Sequence, residues 1–114
     1  MFKLTNNTFH VTRGDSGYIT VEYKDGSTLP AGSLVTFGVY RKNELDGQPV
    51  LWADDELPSG VTSFNLFVSS DQTFGMENPE NGREEYWYEL KVGADRTVLG
   101  YDETGAKIFY LYPT

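Results

Sequence analysis

The chain has no cysteine and a single histidine among its 114 residues. The first absence excludes a disulfide framework, a thiolate metal site and a cysteine nucleophile. The second leaves general acid–base chemistry with His10 alone, and no paired acid lies beside it in the sequence. A serine triad would need a nucleophile motif that is also missing. No run approaches the roughly 20 apolar residues of a membrane-spanning helix. No stretch of ten residues holds a 3.6-residue apolar period, so long helices are not expected. Basic residues are scarce as well. Nine Lys and Arg face seventeen Asp and Glu, a net charge of −8. Nucleic acid and anionic membranes both attract basic surface, so neither is an expected partner. The acids are scattered along the chain, which suits a solvated surface better than a mimic of nucleic acid.

Aromatic residues are plentiful instead: seven Phe, eight Tyr and two Trp. They fall in short runs of alternating polarity separated by Gly, Asp, Asn and Pro, the pattern of strands and turns. Residues 9–13 and 17–23 form the first two runs. Phe9 and Val11 share one face, and Ile19, Val21 and Tyr23 share another. Gly14-Asp15-Ser16 turns the chain between them. Residues 33–42 place Val35, Phe37 and Val39 opposite Thr36, Gly38 and Tyr40. Residues 50–57 make a shorter, acidic strand carrying Trp52, and 61–69 alternate Phe64, Leu66 and Val68. Residues 69–75 read as a short helical turn near Ser70–Phe74, capped by Ser70 or Asp71 and stopped by Gly75. Residues 76–85 carry Asn78-Pro79 and Asn81-Gly82 and read as a surface loop. In 85–92, Tyr86, Tyr88, Leu90 and Val92 oppose Trp87, Glu89 and Lys91. Hairpins follow into strands over 96–102 and 106–112. About eight strands at this spacing predict an all-β, antiparallel, immunoglobulin-like β-sandwich forming a single domain over 1–114. Burying roughly two-thirds of the unfolded surface suffices for a core at this length. Residues 1–8, with one lysine and no apolar run, predict a flexible arm with no signal peptide.

Each candidate site has a plain structural counterpart. His10 alternates with Phe9 and Val11 and is expected on the solvent face. Asp54-Asp55-Glu56 could supply calcium ligands, but successive strand residues point to opposite faces, and a solvated edge is favoured. Arg13-Gly14-Asp15 matches an adhesion tripeptide. It lies between two strand-like runs, which favours a structural turn. Tyr40, Trp52, Trp87 and Tyr101 could form an exposed platform for sugar rings; packing is the plain reading. No catalytic, metal or cofactor-binding residue is expected.

Val11-Thr12-Arg13-Gly14-Asp15-Ser16 followed by Tyr18-Ile19-Thr20-Val21 resembles the opening of the phage baseplate upper-protein N-terminal domain family. Val35 to Lys42, Ser69 to Phe74, Tyr86-Trp87-Tyr88-Glu89-Leu90 with Thr97-Val98-Leu99-Gly100, and Ile108 to Thr114 resemble later family segments in order. Ser16 stands where the family usually has Thr, and the acidic loop at 77–85 is longer than its pattern. The resemblance implies a non-enzymatic tail or baseplate adaptor in the virion, an immunoglobulin-like sandwich that assembles with other tail proteins or with itself. The alternative is a carbohydrate-binding module on a phage tip or bacterial surface.

Overall fold

The computed structural model describes residues 1–94 and 107–114. The expected strand over 96–102 with its Tyr101, Asp95 of the turn before it and the turn over 102–105 lie outside the described residues. Elsewhere the alternating runs become strands: β1 (Phe2–Thr5), β2 (Thr8–Thr12), β3 (Gly17–Glu22), β4 (Leu34–Arg41), β5 (Leu51–Glu56), β6 (Ser63–Val68), β7 (Glu84–Val92) and β8 (Lys107–Tyr112). One short helix, α1 (Ser70–Phe74), lies between β6 and β7. The protein is all-β and sandwich-like. A six-stranded sheet in the order β1-β2-β8-β7-β4-β5 is faced by a two-stranded sheet of β3 and β6. Pairing is antiparallel except between β2 and β8, which run parallel with Phe9 beside Phe109 and Val11 beside Leu111.

The period-2 pattern fixes the core. Phe9 and Val11 of β2, Phe37 and Val39 of β4, Tyr88 and Leu90 of β7, and Phe109 and Leu111 of β8 point inward from the larger sheet. Ile19, Val21, Leu66 and Val68 close over them from the smaller one. Edge-to-face packing centres on Phe9, whose ring lies 5.3 Å from Phe37 and 4.9 Å from Tyr88. Burial pushes the Tyr88 phenol above its ordinary pKa, and its hydroxyl donates to the Asn7 carbonyl at 2.8 Å.

Two local expectations are corrected. The first eight residues are not a flexible arm, because Phe2–Thr5 pairs antiparallel with β2. Asn6 and Asn7 adopt φ of 49° and 65°, the left-handed pair that a two-residue hairpin turn requires and Asn tolerates. Phe2 then seals one end of the core, 6.1 Å from the Phe9 ring. The helix cap is Ser69, not Ser70 or Asp71. Its hydroxyl accepts from the Gln72 N–H, and the Gln72 side chain accepts from the Ser69 N–H in return. This reciprocal box satisfies two otherwise orphan donors.

The segment between β2 and β3 does more than reverse direction. It carries the chain from the six-stranded sheet to the two-stranded one, so β2 and β3 share a core without pairing.

Candidate functional site

The Arg13-Gly14-Asp15 turn is fastened on all sides. Gly14 takes φ +93°, a conformation strained for any residue with a Cβ. Its N–H donates to the Thr73 hydroxyl at 3.0 Å, and that hydroxyl donates to the Asp15 carbonyl at 2.7 Å. Thr73 is fully buried. Arg13 donates through Nε to the Met76 carbonyl at 2.7 Å and through Nη1 to the Thr114 hydroxyl at 3.1 Å. Its guanidinium lies 4.0 Å from the centre of the Phe74 ring. The Asp15 carboxylate pairs with the N-terminal ammonium, while its own N–H donates to the Thr12 carbonyl at 3.0 Å. Both charged heads of the tripeptide are therefore engaged inside the molecule, tying β2, α1 and both termini together. An extended loop available to a receptor would need those heads free.

Strand register places Tyr40, Trp52 and Trp87 on the outer face of the six-stranded sheet. Tyr40 lies opposite Trp87, and Gly38 lies opposite Trp52. The Tyr40 ring rests on Gly38, where an added Cβ would come within 2.7 Å of the phenol oxygen. Exposure separates them: Trp52 is 43% exposed and Tyr40 only 7%, with Trp87 half-buried. The Trp52 indole N–H donates to Asp54 at 2.8 Å, which fixes the ring. Asp54 is thus engaged with an indole, and Asp55 accepts from the Glu56 N–H at 2.8 Å. Among the described residues no three His, Cys, Asp or Glu gather to hold a metal ion.

Further along the same face, His10 shares a hydrogen bond with the Tyr112 hydroxyl at 2.8 Å. Arg83 lies 3.7 Å from the centre of the Tyr110 ring and donates to that Tyr112 hydroxyl at 3.3 Å. The same bond raises the Arg83 pKa above its ordinary value. These contacts form a cation–aromatic lattice that joins His10, Arg83, Tyr110 and Tyr112. Beside it, an open cleft of about 240 Å³ runs along residues 77–84 and reaches Arg41 and Tyr86. Burial and the neighbouring Glu84 carboxylate raise the Tyr86 pKa.

The outer face of the two-stranded sheet is different. Tyr18 on β3 and Phe67 on β6 are direct cross-strand partners, with ring centres 5.1 Å apart. They are 66% and 47% exposed. The next pair, Thr20 and Asn65, is joined by a hydrogen bond of 2.9 Å, and the last is Glu22 with Ser63. An exposed, mutually packed aromatic pair with one charged neighbour stands out on so acidic a chain.

No protein-family model, curated protein or solved structure matches this chain.

The Tyr18–Phe67 pair was not singled out from sequence. Its signal was present in the alternation itself: once Ile19, Val21, Leu66 and Val68 are assigned inward, Tyr18 and Phe67 fall at outward positions. Two outward aromatics brought side by side by the register make a contiguous exposed patch, which a lone surface aromatic does not.

Proposed function

We propose that this chain is a non-enzymatic assembly module of a phage or prophage tail, an adaptor at the baseplate that holds neighbouring proteins through the outer face of β3 and β6. The observation that carries the reading is the Tyr18–Phe67 pair, 66% and 47% exposed on a sheet face with a single charge. Burying such aromatics against a partner yields contact energy at little cost in side-chain ordering, and aromatics anchor protein interfaces for that reason. The ordered resemblance of residues 11–21, 35–42 and 86–90 to the baseplate upper-protein family supports the virion setting. Antibodies against the purified protein test it. After prophage induction in the encoding bacterium, immunogold label is expected at the distal end of purified tails. Label absent from particles and confined to the cell fraction refutes the reading.

One observation favours a second reading. Trp52 is 43% exposed and held rigid by Asp54, as a stacking surface for a sugar ring would be. Glycan-array binding that is lost in Trp52→Ala would support a carbohydrate-binding module. A blank array would remove it.

A further inference from the structure

Natural sheets protect their edges with charge, Pro, bulges or a covering segment. The edges of this fold differ in that respect. β1 presents Lys3. β5 carries Asp54, Asp55 and Glu56, and Gln72 of α1 donates across its edge to the Trp52 carbonyl at 2.8 Å. β6 lies at the corner beside β5, where the chain leaves it into α1. β3, reading Gly-Tyr-Ile-Thr-Val-Glu, has none of these devices except Glu22 at its end. Among the described residues it pairs with β6 alone. Its open side looks toward β1, because the Phe2 ring lies against Gly17. There Leu4, which points to the inner face opposite Phe9, is still 37% exposed. Among the described residues the smaller sheet thus ends one strand short of covering the larger one.

We propose that the missing strand is β3 of a second copy. Two β3 strands pair antiparallel about a two-fold axis at Thr20, making a continuous four-stranded sheet. The sequence is self-complementary in that register. Ile19 meets Val21 of the partner subunit on the inner face. Tyr18 meets Glu22 of the partner subunit on the outer face. The two glutamates, which would repel if opposed, sit at opposite ends beside phenol hydroxyls that can donate to them. Charge argues for this place of contact. Two chains of net charge −8 repel over most of their surfaces, and the face of β3 and β6 carries only Glu22. Area argues for the edge over simple stacking of faces. That face is about 20 Å by about 10 Å, roughly a quarter of the ~800 Å² per partner of a standard interface. Backbone pairing and coverage of Leu4 add what the face lacks.

This inference rests on the assembly reading and names one partner within it. Sedimentation equilibrium on the purified chain tests it. A concentration-dependent dimer is expected. Tyr18→Glu puts a carboxylate opposite the partner's Glu22 twice per dimer, which weakens self-association by about tenfold or more. The double variant Tyr18→Glu with Glu22→Lys restores opposite charges in that register and restores the dimer. Thr20→Lys, which opposes two ammonium groups on the axis, again gives a monomer. All these side chains are exposed, so far-UV circular dichroism of each variant should match the parent. A parent chain that stays monomeric at several hundred micromolar overturns the proposal. So does a Tyr18→Glu defect that Glu22→Lys fails to repair, since a general apolar contact would not be rescued by charge reversal. A monomeric chain that still labels phage tails would sink this inference and leave the tail reading standing. A dimer with no label on tails would do the reverse.

Discussion

Replacing Thr73 by valine should destabilise the protein far more than replacing it by serine. Thr73 is fully buried, and valine is its closest match in shape. On packing alone Thr73→Val would be neutral or stabilising, and Thr73→Ser would cost the methyl group. The hydrogen bonds argue the other way. The Thr73 hydroxyl accepts from Gly14 N–H at 3.0 Å and donates to the Asp15 carbonyl at 2.7 Å. Both partners are backbone groups of a turn that carries the chain between sheets. Valine removes both bonds and leaves a donor and an acceptor facing a methyl group. Each lost bond costs about 0.5–1.5 kcal/mol when water can replace it, and about 1–3 when it cannot. The expected loss for Thr73→Val is therefore about 2–4 kcal/mol. Serine keeps the hydroxyl and loses one methyl, about 1 kcal/mol with its small cavity.

Urea unfolding monitored by tryptophan fluorescence reads the difference. Out of a typical total of about 5–15 kcal/mol, the valine variant should lose a large fraction and the serine variant little. Amide exchange gives the local counterpart. The Gly14 N–H should exchange faster in Thr73→Val and keep most of its protection in Thr73→Ser. A valine variant as stable as the serine variant would falsify the view that this hydroxyl fastens the turn.

Gly17→Ala would place a Cβ within 2.2 Å of the Phe2 ring, so Phe2 must leave its seat. A loss of about 1–3 kcal/mol is expected for such overpacking, and adding Phe2→Ala should remove most of the extra penalty in a double-mutant cycle. Arg13→Met keeps the stem but loses the bonds to the Met76 carbonyl and the Thr114 hydroxyl; thermal melting should show a loss of about 1–2 kcal/mol. Alkaline pH should destabilise the fold. Burial raises the Tyr88 pKa above the ordinary phenol value of about 10, so above about pH 10 the unfolded chain releases this proton while the folded one keeps it. Stability is then full below pH 10 and falls by up to about 1.4 kcal/mol per pH unit above it. Melting temperatures across pH 8–12 should show the fall, and Tyr88→Phe should flatten it; an unchanged alkaline slope in that variant would locate the titration elsewhere.

Period-2 alternation made seven of the described strands legible, because apolar residues recur on one face of each, even in β4, where Thr36 and Tyr40 of the other face are buried too. β1 was not. Its single full alternation, Phe2 to Leu4, is too short to stand out, and the Asn6-Asn7 turn reads as a polar run. The helix was visible, but its cap was displaced by one residue: Ser69 and Ser70 are chemically equal, and only the return bond from Gln72 distinguishes them. Pairing lay beyond the sequence altogether. Nothing local says that β2 joins β8 about a hundred residues away in parallel, or that β3 passes to the second sheet. Those choices are made by tertiary packing around Phe9, where rings from β2, β4, β7 and β8 meet.

The same division explains why the candidate sites fared differently. Arg13-Gly14-Asp15 drew notice as three adjacent residues, but its chemistry is set by partners distant in sequence. The partners of Arg13 are Met76, Phe74 and Thr114, and Asp15 pairs with the N-terminus. The contact surface proposed here has the opposite character. Tyr18 and Phe67 belong to no motif, and each alone is an ordinary strand aromatic. They become a surface only because register sets them side by side while the alternation of both strands turns them away from the core. What makes β3 a candidate for self-pairing is likewise a matter of pattern: apolar residues meet apolar residues, and Glu22 avoids its own copy, when the strand is laid against itself about Thr20. Shifting the register by one residue, which moves the axis by half a residue, would bring each outward side chain against one of the partner's inward ones. The two-fold arrangement is thereby restricted to registers two residues apart; those centred on Ile19 and on Thr20 each pair five residues of the strand, and of the two only the one centred on Thr20 sets Glu22 opposite Tyr18.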